Sequence, residues 1–143
     1  SYSAEGYLTG IVENIDNTEY SSTSLTYENG DITSISSKMN GLENKFIYEP
    51  GEESSTYHLP CLGLLEIHPL TFHIEALYAG LLGKDPRHFT IRSCPAGSND
   101  EKTIYSYEFD KKGNPSRMIC QTTYAGGQAN YYPYTRNISV SFE

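Results

Sequence analysis

Hydrophobic and polar residues alternate along much of this chain with the two-residue period of a β-strand. Residues 24–27 read Ser-Leu-Thr-Tyr, and residues 104–109 read Ile-Tyr-Ser-Tyr-Glu-Phe. Successive strand side chains point to opposite faces, so one face carries Tyr, Leu or Ile and the other Ser, Thr, Glu or Lys. This pattern predicts an antiparallel sheet with one face packed on a core and the other facing water.

A short repeat separates the predicted strands. In each copy an aromatic residue lies three or four positions before a glycine, and apolar residues or proline follow the glycine at offsets of two and five. The three copies contain Gly6, Gly30 and Gly113. Glycine accepts the positive φ of tight hairpin turns, and Asn29-Gly30 is the strongest hairpin signal in the chain. The repeat therefore predicts a series of β-hairpins.

Proline and glycine mark the ends of these strands. Pro115 cannot donate to a sheet, so its segment is expected at an edge or beside a bulge. Residues 49–55 (Glu-Pro-Gly-Glu-Glu-Ser-Ser) and 125–130 are interpreted as turns or loops. Strict alternation from Asn137 to Phe142 predicts a final strand.

One segment in the middle of the chain has a helical period instead. Its apolar residues recur at i, i+3, i+4, i+7 and i+8, and these are Ile74, Leu77, Tyr78, Leu81 and Leu82. Pro69 suits a first turn, and Gly83 suits the left-handed residue that ends a helix. The fold class predicted is mainly β: an antiparallel meander or partial barrel of Gly-turn hairpins with one short helix near residues 70–82. We expect residues 1–143 to form a single β-rich domain.

Composition and charge narrow the function classes. The 143 residues carry 10 Lys and Arg against 18 Asp and Glu, a net charge of −8. Nucleic-acid binding needs clustered cations, so no nucleic-acid partner is expected. Only 37% of residues are hydrophobic, and no stretch approaches the roughly 20 apolar residues of a spanning helix. The chain is therefore expected to contain no membrane-spanning segment.

Cysteine and histidine spacing gives no sign of a metal or cofactor. Cys61, Cys94 and Cys120 are 33 and 26 residues apart, which fits no zinc pattern. One disulfide with a free thiol and three buried thiols both remain open. The four histidines are also spaced unlike metal ligands and are interpreted as helix-cap and surface residues: His58, His68, His73 and His88.

Catalytic motifs are weak. No Gly-x-Ser-x-Gly motif and no Gly-rich phosphate loop occur. Glu66 and Glu75 have apolar neighbours that would raise a carboxyl pKa, so a carbohydrate hydrolase using them is the enzymatic alternative. The chain is expected not to be an enzyme.

Tyrosines near the carboxyl-terminal end form the best binding candidate. Thirteen residues of the chain are tyrosine, and a group of them surrounds a Gly-rich loop: Tyr124, Tyr131, Tyr132 and Tyr134. A tyrosine ring offers a flat apolar face and a hydroxyl at little entropy cost, which suits a sugar or peptide. Ordinary strand packing is the alternative explanation.

Two motifs connect the chain with a known family. Residues 77–84 read Leu-Tyr-Ala-Gly-Leu-Leu-Gly-Lys, and residues 105–115 follow Tyr-x-Tyr-x-x-Asp-x-x-Gly-x-Pro. With the hairpin repeats, they resemble an uncharacterised family of Bacteroides-type secreted lipoproteins, a domain of unknown function described as having a porin-like fold. The resemblance covers nearly the whole chain and implies the carboxyl-terminal part of a longer family domain. It implies no catalytic residues.

The resemblance and the tyrosine cluster together suggest a function. We expect a non-enzymatic cell-envelope lipoprotein domain, exported to the periplasm or cell surface, that binds an extracellular glycan or peptide. The resemblance places its lipid anchor on an amino-terminal segment not present in this sequence. The alternative is a structural or scaffolding module whose sheet edge pairs with an envelope protein partner.

Overall fold

Eight antiparallel strands form one sheet in which each strand pairs with the next along the chain. The computed structural model describes residues 1–54, 81–98, 100–113, 115–125 and 133–139. The strands are β1 (Gly10–Ile15), β2 (Thr18–Glu28), β3 (Asp31–Met39), β4 (Leu42–Ser54), β5 (His88–Pro95), β6 (Glu101–Phe109), β7 (Pro115–Tyr124) and β8 (Tyr134–Ser139). The predicted antiparallel meander is confirmed.

The predicted helix falls mostly outside the described residues. Residues 70–80 are not among them, and Leu81 and Leu82 lie in a turn. The part of the chain that the structure describes contains no helix. Within that part, no helix is long and apolar enough to cross a membrane.

Two-residue turns with positive φ join the first four strands. At the β2–β3 turn, Asn29 has φ 52° and Gly30 has φ 90°, the pattern of a type I′ turn, whose twist matches that of the flanking strands. Asn40-Gly41 and Asp16-Asn17 repeat this geometry at β3–β4 and β1–β2. The hairpins predicted at Gly30 and Gly113 are confirmed, whereas Gly6 lies in a smaller reversal closed by a bridge between Tyr2 and Leu8.

Three strand boundaries differ from or refine the prediction. Residues 49–54 are not a loop, because β4 runs through them to Ser54. Pro50 is accommodated by shifts in the β4–β5 register on either side of it, as expected for a residue that cannot donate to the ladder. Pro115 begins β7 beside a shift at Phe109, which confirms the predicted bulge. The last strand begins at Tyr134, three residues earlier than predicted.

One face of the sheet carries the core, in two clusters. The first is formed by β2, β3 and β4 with two residues from outside the strands: Leu8, Leu25, Ile32, Ile35, Tyr48 and Leu82. The second lies on β6 and β7 and consists of Tyr105, Met118 and Cys120. Next to the second cluster, on the same two strands, the buried face carries hydroxyl groups that bond to one another, as Thr103 and Thr122 do at 2.8 Å. Such a pair gives both buried hydroxyls a partner, which burial requires.

The opposite face is polar and carries surface ion pairs. Arg92 donates to Glu49 across β4 and β5 at 2.7 Å, and Arg117 donates to Glu108 across β6 and β7 at 3.2 Å. This face explains how a chain with few apolar residues forms a sheet of eight strands, since only one side needs apolar cover.

Two segments outside the strands pack together at one end of the first hairpins. They are the amino-terminal loop (residues 1–9) and the 81–87 segment. Gly83 forms a bridge with Tyr7, and the Lys84 N–H donates to the Gly6 carbonyl at 2.8 Å. A Cβ on Gly83 would lie 2.7 Å from that carbonyl oxygen and 2.8 Å from the Leu8 nitrogen. Only glycine allows this approach.

We predict that Gly83→Ala destabilises the fold more than Gly41→Ala. Both glycines have positive φ, 74° and 78°, but a Cβ on Gly41 meets nothing within 4 Å. Gly41→Ala should cost about 1 kcal/mol for the backbone conformation alone. Gly83→Ala should cost about 1–3 kcal/mol more, because the new methyl overlaps backbone atoms. Urea unfolding of both variants measures the difference, and equal losses would show that the two segments separate without cost.

Candidate functional site

An open cleft of about 1040 Å³ lies where the amino-terminal loop, the β2–β3 turn and the 81–87 segment meet. Its walls mix hydroxyl, amide, aromatic and charged side chains with some backbone. The described residues that line it are Ser3, Glu5, Tyr7, Thr9, Leu25, Thr26, Tyr27, Asn29, Gly30, Ser54, Lys84, Asp85, Pro86 and Arg87. The sheet thus contributes one wall, and the two irregular segments contribute the others.

A pair of tyrosines forms the aromatic part of the cleft. The rings of Tyr7 and Tyr27 are 4.8 Å apart between centroids and tilted by 31°, within the range of favourable aromatic pairs. Lys84 Nζ lies 4.9 Å from the Tyr7 centroid, a cation–π contact. Because Tyr27 also packs against the first core cluster, the pair is held in place from the core side.

An aromatic hydroxyl and a cationic side chain both lie close to Gly30. A Cβ at Gly30 would lie 2.8 Å from the Tyr7 hydroxyl and 3.6 Å from the Arg87 Cβ. The Tyr7 hydroxyl and the Arg87 side chain therefore approach the turn side by side. The same glycine supplies the positive φ of the turn, so one residue meets both requirements.

Asp31 ties the 81–87 segment to the sheet. It is buried, at 7% exposure, and its Oδ1 accepts from the His88 N–H at 2.7 Å. His88 Nδ1 lies 2.8 Å from Oδ2, which fits a ring N–H donating to the carboxylate. The neighbouring Arg87 N–H donates to the Gly30 carbonyl at 2.9 Å. These three bonds fix the backbone at Arg87.

The carboxyl group of Glu5 is ionised more readily than an ordinary glutamate. A hydrogen bond from its own backbone N–H, and then one from the Ser3 hydroxyl, hold the pKa of Glu5 below its usual value, with a further contribution from the Lys84 charge. A hydrogen bond to the charged form and a nearby opposite charge act in the same direction. Glu5 and Lys84 therefore compensate one another at this end of the cleft.

Two kinds of catalytic arrangement can be compared with the described residues of the cleft. Ser54 is the register partner of His88, and Asp31 bonds to His88, so the three residue types of a hydrolase triad are neighbours. Within the described residues, however, no hydrogen bond joins Ser54 to His88, and a nucleophile needs that contact with its base. The described residues also contain no group of three side chains that could hold a metal ion.

The structure describes only part of the tyrosine cluster predicted from the sequence. Tyr124 is half-buried at the end of β7, opposite Glu101, and Tyr134 begins β8 opposite Thr122. Burial raises the pKa of Glu101. Tyr131 and Tyr132 lie outside the described residues, so binding by this cluster stays a prediction.

Other candidates are also outside the described part of the chain. Glu66 and Glu75, proposed as hydrolase carboxylates, are among residues 55–80, as are His58, His68 and His73. Of the cysteines, Cys94 has a free thiol and Cys120 is buried in the second core cluster. Cys61 is not described.

The cleft itself was not predicted from the sequence. Asn29-Gly30 predicts the β2–β3 turn, and Gly83-Lys84 belongs to the 77–84 segment that resembles the family. Neither signal showed that the two would meet, since the Asp31–His88 contact spans 57 residues.

Comparison with known proteins shows the family. A family model described as "Domain of unknown function (DUF4595) with porin-like fold" matches residues 1–117. The chain belongs to this family. A solved structure of a porin-like protein from Bacteroides uniformis ATCC 8492 is similar to it, with 26% sequence identity and a TM-score of 0.78. The match covers 96% of this chain and 54% of that one, so the chain spans about half the length of this relative. No curated protein matches the chain.

These comparisons confirm the resemblance noted in the sequence. The DUF4595 match includes every residue described as lining the cleft, from Ser3 to Arg87, whereas most of β7 and all of β8 lie beyond residue 117. The family description assigns no activity, so the use of the cleft has to be argued from its geometry.

We predict that Asp31→Asn destabilises the fold by about 1–3 kcal/mol, the cost of leaving a buried polar group without its partner. An amide has one acceptor oxygen, so either the His88 backbone N–H or its ring N–H loses its bond. Glu49→Gln is the matched control, because its ion pair with Arg92 lies on the exposed face and should change stability by less than about 1 kcal/mol. Denaturant unfolding compares the variants. A loss no larger than that of the control would contradict the role given to Asp31.

Proposed function

We propose that this DUF4595 chain is a non-enzymatic ligand-binding domain of the cell envelope, and that its cleft binds an extracellular glycan. The observation that carries the proposal is the Tyr7–Tyr27 pair, which lies in a cleft otherwise lined by hydroxyl and amide groups. Saccharide rings present apolar C–H surfaces and many hydroxyls. Aromatic side chains with a few polar partners recognise such mixed surfaces.

The position of the polar groups supports a sugar over a purely apolar ligand. Ser3, Thr9, Thr26 and Ser54 line the cleft with hydroxyls, and Asn29 adds an amide at the turn. Such groups both donate and accept hydrogen bonds, as sugar hydroxyls do. The volume of about 1040 Å³ is at the upper end of ordinary ligand pockets, which leaves room for more than one sugar unit.

The cellular location is part of the same proposal. The related protein is described as porin-like and comes from a Bacteroides species, which supports export to the periplasm or the cell surface. A lipid anchor would hold the protein there. An envelope position would expose the cleft to glycans outside the cytoplasm.

Blocking the cleft should abolish glycan binding without harming the fold. Thr26 is exposed on β2 and lines the cleft, so Thr26→Trp adds a large ring at its wall. Ser24→Trp, two residues earlier on the same face of β2 and also exposed, is the matched control. A thermal-shift screen of soluble glycans identifies the ligand, since a ligand at a hundredfold excess over its Kd stabilises by about 2.7 kcal/mol.

The expected result is a shift that is lost in Thr26→Trp and retained in Ser24→Trp. Tyr132→Ala is the corresponding variant for the tyrosine cluster predicted from the sequence, and a shift lost only there would move the site to that cluster. No response to any glycan by the wild-type chain would contradict the proposal.

The exposed edge of β1 favours a second candidate, a module that binds an envelope protein by strand addition. No described strand pairs with the outer edge of β1 beyond Gly10, and Val12 and Ile15 are 58% and 55% exposed there. Unpaired backbone groups beside apolar side chains form a template for another strand.

Photo-crosslinking in cells tests the second candidate. A photoreactive residue at position 12 should give a defined protein adduct, because a partner strand would lie beside it. The control is the same residue at position 24, which is exposed but lies inside the sheet. Adducts at neither position, or equally at both, would count against pairing at this edge.

A further inference from the structure

The two cations among the described residues of the cleft, Lys84 and Arg87, differ in how their charge is compensated. Lys84 lies on the Tyr7 ring and close enough to Glu5 to lower the pKa of that carboxyl group. Arg87 is exposed, and among the described residues its guanidinium makes no hydrogen bond or ion pair. Arg92 and Arg117, on the polar face of the sheet, each pair with a glutamate. Arg87 therefore differs from these two arginines in two ways: it lies in the cleft, and no described carboxylate forms an ion pair with it.

The position of Arg87 is fixed although its side chain is exposed. Its N–H bonds to the Gly30 carbonyl, and the next residue, His88, is held by Asp31 through both backbone and ring. The side chain leaves this backbone beside the Tyr7 hydroxyl, over Gly30. A ligand at this point would meet a guanidinium and an aromatic hydroxyl together, both of which can donate hydrogen bonds.

We propose that the bound saccharide is anionic and that its carboxylate or sulfate group is held by Arg87. This inference rests on the glycan-binding function proposed above and names the class of sugar. A planar guanidinium presents a fork of N–H donors that matches two oxygens of a carboxylate or sulfate. The Tyr7 hydroxyl, beside it, can donate to the same group or to a neighbouring sugar oxygen.

The surrounding charges define the orientation of such a ligand. Glu5 and Asp85 line the same cleft and repel an anion, and the chain as a whole carries −8. The acidic group of the sugar therefore belongs at the Gly30–Arg87 end, and its neutral units belong toward Glu5 and Lys84. Because the protein is acidic overall, general attraction of anions to its surface does not explain binding, and a local cation is needed.

Isothermal titration with matched sugars tests the inference on the full chain. The probes are a galactose trimer that ends in one galacturonate, the same trimer as its neutral methyl ester, and a galactose trimer with one terminal sulfate. Wild-type protein should bind at least one anionic trimer about tenfold or more tightly than the methyl ester, as expected for a charge-assisted pair. Arg87→Gln should remove this preference, whereas Arg117→Gln, outside the cleft, should leave it unchanged.

Salt gives a second measurement that a purely structural role of Arg87 would not alter. Raising ionic strength from about 0.05 to about 0.5 M should weaken binding of the anionic trimer to wild-type protein and much less to Arg87→Gln, since salt screens exposed charges. Thermal unfolding of Arg87→Gln should match wild type, because within the described part of the chain its guanidinium makes no hydrogen bond or ion pair that the substitution would remove.

The outcomes separate this inference from the proposed function. Equal binding of acid and ester, or an anionic preference that survives Arg87→Gln, would overturn the role of Arg87 and leave glycan binding in place. Binding of neutral sugars alone, blocked by Thr26→Trp, would have the same meaning. A wild-type protein that binds no glycan of any charge would overturn both.

Discussion

The type I′ turn at Asn29 and Gly30 is the constraint on which the cleft and the strands beside it depend. Positive φ at both residues pairs the strand ends, Glu28 with Asp31 and Tyr27 with Ile32. A register shift between Thr26 and Tyr27 then places Leu25 opposite Ile35 in the core. The same turn presents the Gly30 carbonyl to Arg87 and leaves space for the Tyr7 hydroxyl. This turn therefore contributes to the pairing of two strands, to the position of Arg87 and to the wall of the cleft.

The sheet combines this local geometry with the buried apolar side chains of the described residues. These apolar side chains gather in two clusters on one face, and the Thr103–Thr122 hydroxyl pair is buried next to the second of them. A satisfied hydroxyl pair is tolerated inside a protein but adds little net stability. Fixed contacts between distant segments, above all Asp31 with His88, add to the stability that the two clusters provide.

The strands were predictable because the signals for them are local. Alternation of polar and apolar residues predicts β2, β6 and part of β8, and Asn29-Gly30 predicts one hairpin. Asn40-Gly41 carries the same turn signal and predicts the next hairpin equally well. The loop predicted at residues 49–54 is wrong. Pro50 and Gly51 indicate a turn, but β4 continues through them because it pairs with β5, with local shifts in register. The cleft could not be predicted, since its walls meet only through contacts such as Tyr2 with Leu81, 79 residues apart.

Because of these contacts between distant segments, ligand binding in the cleft depends on folding. The amino-terminal loop and the 81–87 segment reach each other only when the sheet between them has formed, so the cleft does not exist in the unfolded chain. Any ligand that touches both walls therefore binds only the folded state and stabilises it by mass action. Two of the hydrogen bonds between these segments, from Tyr2 to Leu81 and from Lys84 to Gly6, lie at the surface. They therefore add only modestly to the free energy of unfolding. A bridging ligand would then have its largest effect on the local opening of these two segments, a motion that needs less free energy than unfolding of the sheet.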